Sequence, residues 1–304
     1  MSGFNNLGNG GSRVLAGILK NANSIISYMD SLRLEVKIRS VPKDPRNMVI
    51  LACPEPSLAS VVATEYLIDT LKMVEIGAIR IRGIEPAVTV IDGVAKLPYR
   101  LFYSQENGLI VVRQHIPIPI PIYREFIDKV ISWAEENGVS KAVCLSTMPS
   151  LGPSESDNVY FVTDELTVSN LTNAGFIPLK ETVVVGVEAE FLDAVLSRGT
   201  MSGILLLAES RLLTSINNLV RSGRLASYRD ITYILNQTIG KFGPDVTAAV
   251  KLVKAISKLV NTEIKTDKLE EHASKYSFLV EKSIEEWARS LTAEEGKGTA
   301  PLVL

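Results

Sequence analysis

Short apolar runs alternate with longer stretches of helical period through the middle of the chain. "MVILAC" (48–53), "GLIVVR" (108–113), "KAVCLST" (141–147), "VYFVT" (159–163), "ETVVVGV" (181–187) and "GILLLAES" (203–210) read as strands. Brief apolar runs of this kind suit strands covered on both faces. "LRLEVKIRSV" (32–41) alternates as a strand, and "EIGAIRIRG" (75–83) is another. Between them, "SLASVVATEYLIDTL" (57–71) predicts a helix with Ser57 as its N-cap, apolar nearly all the way round and so covered on more than one side. Tyr123, Phe126, Ile127, Val130, Ile131 and Ala134 share one helical face, and Gly138 closes that helix. "ELTVSNLTNAG" (165–175), capped by Thr163 or Asp164, and "EAEFLDAVLSRG" (188–199) add two more helices. The strand–helix alternation argues for an α/β sandwich, helices on both faces of a largely parallel sheet.

Two stretches depart from the alternation. "PAVTVIDGVAKLPYRLFYSQ" (86–105) places Asp92-Gly93 between β-rich runs, the signature of a hairpin turn whose central residues need positive φ. Asp92 is therefore a turn residue, not a catalytic acid, and a hairpin is inserted near the middle of the sheet. "HIPIPIPI" (115–122) alternates like a strand, but Pro117, Pro119 and Pro121 lack the N–H a ladder needs. An extended polyproline-like loop running to a helix at Tyr123 is expected. Such a loop turns Ile116, Ile118, Ile120 and Ile122 around its axis, so they need cover from residues 211–243 or from a neighbouring subunit. These four isoleucines are the candidate contact surface.

The last third is helical. Residues 211–243 hold one or two short helices. Pro244 opens another at its first position, with Val246, Val250, Val253, Ile256 and Val260 in an apolar row and Lys251, Lys254 and Lys258 on a solvated face. Thr266 or Asp267 starts a long helix carrying Leu269, Tyr276, Val280, Ile284 and Trp287. At the other end, "GNGGS" (8–12) is a flexible lead to a helix over about 13–28. The division expected is a flexible N-terminus and helix over 1–33, one α/β domain over 34–290 whose C-terminal part (211–290) is helical, and a flexible tail over 291–304 ending in Leu302-Val303-Leu304.

Composition narrows the function. Of 304 residues 46% are hydrophobic and 22% charged, with a formal charge of −2. That is a soluble globular balance with no basic footprint for nucleic acid. No apolar run approaches the ~20 residues of a membrane-spanning helix, and the N-terminus lacks signal-peptide character, so a cytoplasmic protein is expected. Cys53 and Cys144 sit in apolar runs and read as small core residues; with only His115 and His272 beside them, no zinc site and no cofactor are expected.

In open α/β sheets ligands bind beyond the carboxyl ends of the strands. That rule nominates Glu55, His115, Ser146, Thr147, Glu188 and Glu209 as a strand-end pocket able to do hydrolase or phosphorylase chemistry. Against it, the chain has no phosphate loop, dinucleotide fingerprint or nucleophile elbow, and the turn "CPEPSLAS" removes N–H donors where a phosphate would want them. Glu65 shares a helical row with Leu58, Val61 and Ile68; it is either a surface carboxylate or a partner across a subunit interface.

The order of the segments resembles the proteasome assembly chaperone family, particularly its archaeal members. The resemblance rests on "VILACPEPSLASVVATEYLID", the hairpin "PAVTVIDGVAKLPYRLFY", "LIVVRQHIP" with "YREFIDKVISWAEENGVSKAVCLSTMPS", "VYFVTDELTVSNLTNAGF", "GTMSGILLLAES" and "AAVKLVKAISKLVNTEIKTDKLEEHA". It spans most of residues 46–273, with a gap. It implies a three-layer α/β/α sandwich of phosphorylase/hydrolase-like architecture. The activity it implies is not enzymatic: a protein that forms homo-oligomers and holds proteasome α-subunits, or another assembly, through apolar surfaces. The alternatives are an enzyme on a nucleoside phosphorylase/hydrolase-like fold and a scaffold of a different complex. The chain departs from the family at four places, one of them the turn after "ETVVV", where a glycine-rich stretch is reduced to Gly186, followed by Glu188 and Glu190. Ser57, Ala59 and Ser60 stand where glycines are usual, residues 211–243 look inserted, and the C-terminus lacks the penultimate tyrosine with which some members dock into the α-ring.

Overall fold

The computed structural model describes residues 33–52, 55–83, 86–116, 118–152, 156–225 and 227–273. The expected N-terminal helix, Cys53, the long helix beyond residue 273 and the tail with Leu302, Val303 and Leu304 lie outside the described residues.

Among the described residues, a nine-stranded mixed sheet forms the middle layer. In chain order its strands are β1 (Arg33–Ile38), β2 (Met48–Ala52), β3 (Val74–Arg82), β6 (Tyr99–Ser104), β7 (Leu109–Gln114), β8 (Lys141–Met148), β9 (Val159–Thr163), β10 (Ile177–Pro178) and β11 (Ser202–Glu209). They lie in the order β1-β3-β6-β7-β2-β8-β11-β9-β10. The central four, β7, β2, β8 and β11, run parallel. On one side β6, β3 and β1 continue as an antiparallel meander, and on the other β9 returns antiparallel to β11. The remaining strands, β4 (Thr89–Ile91) and β5 (Val94–Lys96), form the inserted hairpin as a separate two-stranded sheet. Its turn is Asp92 (φ 48°) and Gly93 (φ 78°), the positive pair that the dipeptide predicted.

Helices cover both faces. Along β8, Ala142 and Cys144 face one layer while Val143 and Leu145 face the other, the period-two alternation of a strand. The first layer is α2 (Ile120–Glu136) with α4 (Val187–Leu196), packed through Phe126, Ile127, Val130, Phe191 and Val195. The second is α1 (Ala59–Thr70) with α7 (Val246–Leu259), packed through Ala63, Leu67, Leu252 and Ile256. The short helix α3 (Val168–Asn173) adds Leu171 to the second core. Helices α5 (Arg211–Arg221) and α6 (Tyr228–Phe242) form a small core of their own from Leu212, Ile216, Leu219, Leu225 and Ile234.

Several expectations are corrected. "ETVVVGV" is not a strand: residues 181–186 carry no strand pairing, and Val183 and Val185 are 83% and 73% exposed. The sheet edge is reached instead by the two-residue β10, which ends at Pro178. The α2 helix begins at Ile120, not Tyr123, with Pro119 as N-cap. Proline is tolerated in a first helical turn because those N–H groups have no intrahelical acceptor. Ile118 and Ile122 are 5% and 2% exposed and join the core around Tyr99 and Phe126, while Ile116 packs against it from the edge. Ile118 and Ile122 are thus covered by the chain's own first core, and the side chain of Ile120 lies outside the described residues. Cys144 is fully buried as expected of a core residue, and it is also disulfide-bonded.

Candidate functional site

The carboxyl ends of β7, β2, β8 and β11 bring the nominated residues to one edge of the sheet but not to one point. His115 follows β7 and Glu209 ends β11, three strands away, a lateral offset of about 14 Å. No single acid–base constellation can include both.

Glu55 follows β2 and turns back onto its own chain. Its Oε2 accepts from the Ser57 N–H at 2.6 Å and the Thr147 hydroxyl at 3.1 Å. Its Oε1 accepts from the Ser60 N–H at 2.9 Å and the Ser60 hydroxyl at 3.2 Å. Ser57 does not cap α1 as expected: the N-cap is Leu58 in the left-handed region, and it makes no side-chain cap bond. The Glu55 carboxylate takes that role, because orphan N–H groups at a helix start attract an anionic acceptor. Desolvation pushes its carboxyl above the ordinary range, against the hydrogen bonds from Ser57, Ser60 and Thr147.

Ser146 and Thr147 are neighbours on β8 and so point to opposite faces. Thr147 meets Glu55, whereas the Ser146 hydroxyl donates to Glu188 at 2.8 Å on the α4 side. Glu209, 1% exposed, is bound by a third group. Its Oε2 accepts from the Ser156 N–H at 2.8 Å and hydroxyl at 2.9 Å, and its Oε1 from the Tyr160 hydroxyl at 3.1 Å. Burial pushes this carboxyl up, but the hydrogen bonds outweigh it and hold the group below the ordinary range. Its main-chain oxygen accepts from Lys251 Nζ at 2.9 Å. Lys251 is 5% exposed, so the expected solvated face is corrected: the apolar stem packs inside and the ammonium reaches a strand-end carbonyl.

His115 lies in a separate ionic cluster on β6, β7 and α1. Arg100 Nη2 lies 3.2 Å from His115 Nε2, so the imidazole accepts there. Desolvation, with Arg113 and Arg100 nearby, pushes its pKa down to about 4 and leaves it neutral at pH 7. Arg113 makes a two-pronged pair with Glu65, and Arg100 bonds Glu75 at 3.0 Å. Both guanidinium groups lie over the Phe102 ring. Glu65 thus has a partner in the same chain, Arg113.

Asp245 was not among the nominated residues. Fully buried, it accepts from the Ala248 N–H at 3.1 Å as the cap of α7 and from the Ser210 hydroxyl at 2.7 Å at the start of α5. The signal was in the chain: an Asp placed just before a helical apolar row. Reading Pro244 as the first helical residue hid it. Among the described residues there is no group of three or more His, Cys, Asp or Glu able to hold a metal ion, and no helix long and apolar enough to cross a membrane.

Among the described residues, these carboxylates are engaged with hydroxyls and helix starts at separate points along the edge. The chain is similar to the archaeal homologue of proteasome-assembly chaperone PbaA of Pyrococcus furiosus (TM-score 0.63, 18% identity, 87% of this chain and 97% of that one). It is similar to PbaB of the same organism, an archaeal proteasome activator (TM-score 0.60, 18% identity, 82% and 98%). It is also similar to a Thermoplasma acidophilum protein of unknown function (TM-score 0.57, 21% identity, 82% and 90%). A search of curated protein sequences returns no match. The PAC2 family model matches residues 49–284, from β2 to beyond α7, and the chain belongs to the PAC2 family.

Proposed function

We propose that this protein is a non-enzymatic assembly chaperone that associates with itself and binds proteasome α-subunits through apolar surfaces. The observation that carries the reading is the state of the strand ends: Glu55, Glu188 and Glu209 are tied into hydrogen bonds within the chain, and His115 is neutral and engaged by Arg100. A hydrolase or phosphorylase needs such groups presented to a substrate. The PAC2 family model and the proteasome-related names of PbaA and PbaB support the choice of partner. The setting proposed is the cytoplasm of an archaeon.

The test is retention by immobilised proteasome α-subunits, for the full chain and for a form lacking residues 292–304, with light scattering on the eluted complexes. Retention of the full chain at a mass above one copy is the expected result. Loss on removing the tail would assign it a docking role despite its missing tyrosine. If no α-subunit is captured by either form, the partner is another assembly.

A further inference from the structure

Among the described residues, the two edges of the nine-stranded sheet are finished differently. At one edge β10 has two residues and ends in Pro178, which cannot donate to a further strand. At the other, β1 keeps an unbroken six-residue register against β3, from Arg33↔Arg82 to Ile38↔Gly77, with no bulge and no proline. Natural sheets blunt their edges with prolines, bulges, short strands or repelling charges, because a regular edge recruits another strand. β1 has none of the first three.

Its charges do not repel a second copy either. Arg33, Glu35 and Lys37 share one face of β1 and alternate in sign; Leu34, Val36 and Ile38 share the other and pack on the first core while remaining only partly buried. An antiparallel copy centred on Val36 sets Glu35 opposite Lys37 twice and Leu34 opposite Ile38 twice. Centring on Glu35 instead would oppose two carboxylates and set Arg33 against Lys37. In the favoured register Arg33 falls opposite Arg39, past the strand end, where Arg39 donates to the Glu75 carbonyl. We propose that two copies of this chain join along β1, by antiparallel pairing about Val36, so that two nine-stranded sheets become one. The apolar row Leu34-Val36-Ile38 is then continuous with that of the partner, and the half-covered rim of the first core is closed.

The proposal rests on the self-association reading, and the test separates the two. Lys37→Glu and Glu35→Lys are each measured alone by light scattering and sedimentation, then mixed one to one, with melting curves as a check on folding. Each variant alone meets two like-charge pairs across the two-fold axis; the mixture meets two opposite-charge pairs. Wild-type protein assembles through this edge, each variant alone associates about tenfold or more weakly, and the mixture recovers. If Glu35→Lys melts early through loss of its Arg82 partner, the exposed Lys37→Glu decides alone. Unchanged assembly in Lys37→Glu, or no recovery in a mixture of two folded variants, overturns the β1 interface and leaves self-association standing. A wild-type protein that stays a single copy overturns both.

Discussion

Glu209 shows how a single side chain at a catalytic-looking position becomes structural. Its carboxylate gathers donors from Ser156 and Tyr160, and a charged acceptor inside the protein is worth more to the fold than a neutral one. Glu209→Gln should lower stability at neutral pH by about 2 kcal/mol, since it puts an amide donor among donors. Because the folded pKa lies below the ordinary 4.5, the wild-type advantage is full above that value and is lost as pH falls through the lower folded pKa. Chemical denaturation of both proteins from pH 7 down to pH 3 should show the gap narrowing. A gap independent of pH would mean that the charge contributes nothing.

At the scale of elements, the junctions carry more than the periodic stretches do. Asp245 holds the starts of α5 and α7 together, so Asp245→Ala should remove a cap and leave the buried Ser210 hydroxyl without its acceptor, for a loss of about 2–4 kcal/mol in urea unfolding. An equal loss in Asp245→Asn would show that charge, not capping geometry, matters. Gly77 is the corresponding constraint on the sheet. A Cβ there would stand 2.3 Å from the Lys37 carbonyl oxygen and 2.5 Å from Ile38 Cα, both backbone atoms that cannot swing aside. It also sits at the irregularity in the β3–β6 ladder. Gly77→Ala should therefore cost about 2–4 kcal/mol. Hydrogen exchange should show the loss concentrated in β1, whereas a uniform loss across the sheet would point to a different cause.

At the scale of the whole molecule, the two main cores are joined through the sheet, while α5 and α6 pack mainly around their own five buried residues. Units with separate cores open separately. Ile234→Ala, which empties the centre of that small core, should speed amide exchange in residues 211–242 while leaving β8 and β11 protected. If β8 exchanges faster by the same factor, the helical pair is not a separate cooperative unit. Among the described residues, the exposed Val183 and Val185 lie on the same molecule as the regular β1 edge.

The order of β2, α1, β7, α2, β8 and β11 was legible in the chain because period and burial are local: a strand covered on both faces must be apolar, and a helix on a sheet must carry a stripe. The Asp92-Gly93 hairpin was legible for the same reason, since positive φ is a property of the turn residues themselves. "ETVVVGV" was misread, and the helix after "HIPIPIP" was placed three residues late, because their local chemistry permits more than one state. Whether Ile118 and Ile122 lie in a core or on a surface depends on residues such as Tyr99, which only packing brings near. The same holds for the polar groups. Glu55, Glu65, Glu209 and Lys251 announce charge in the sequence, but whether a charge meets a substrate, a solvent or a backbone N–H is decided by what lies across the sheet. Thr147, Arg113, Tyr160 and the Glu209 carbonyl are those neighbours, separated from them by about 40 to 90 residues along the chain and brought within hydrogen-bond reach by folding.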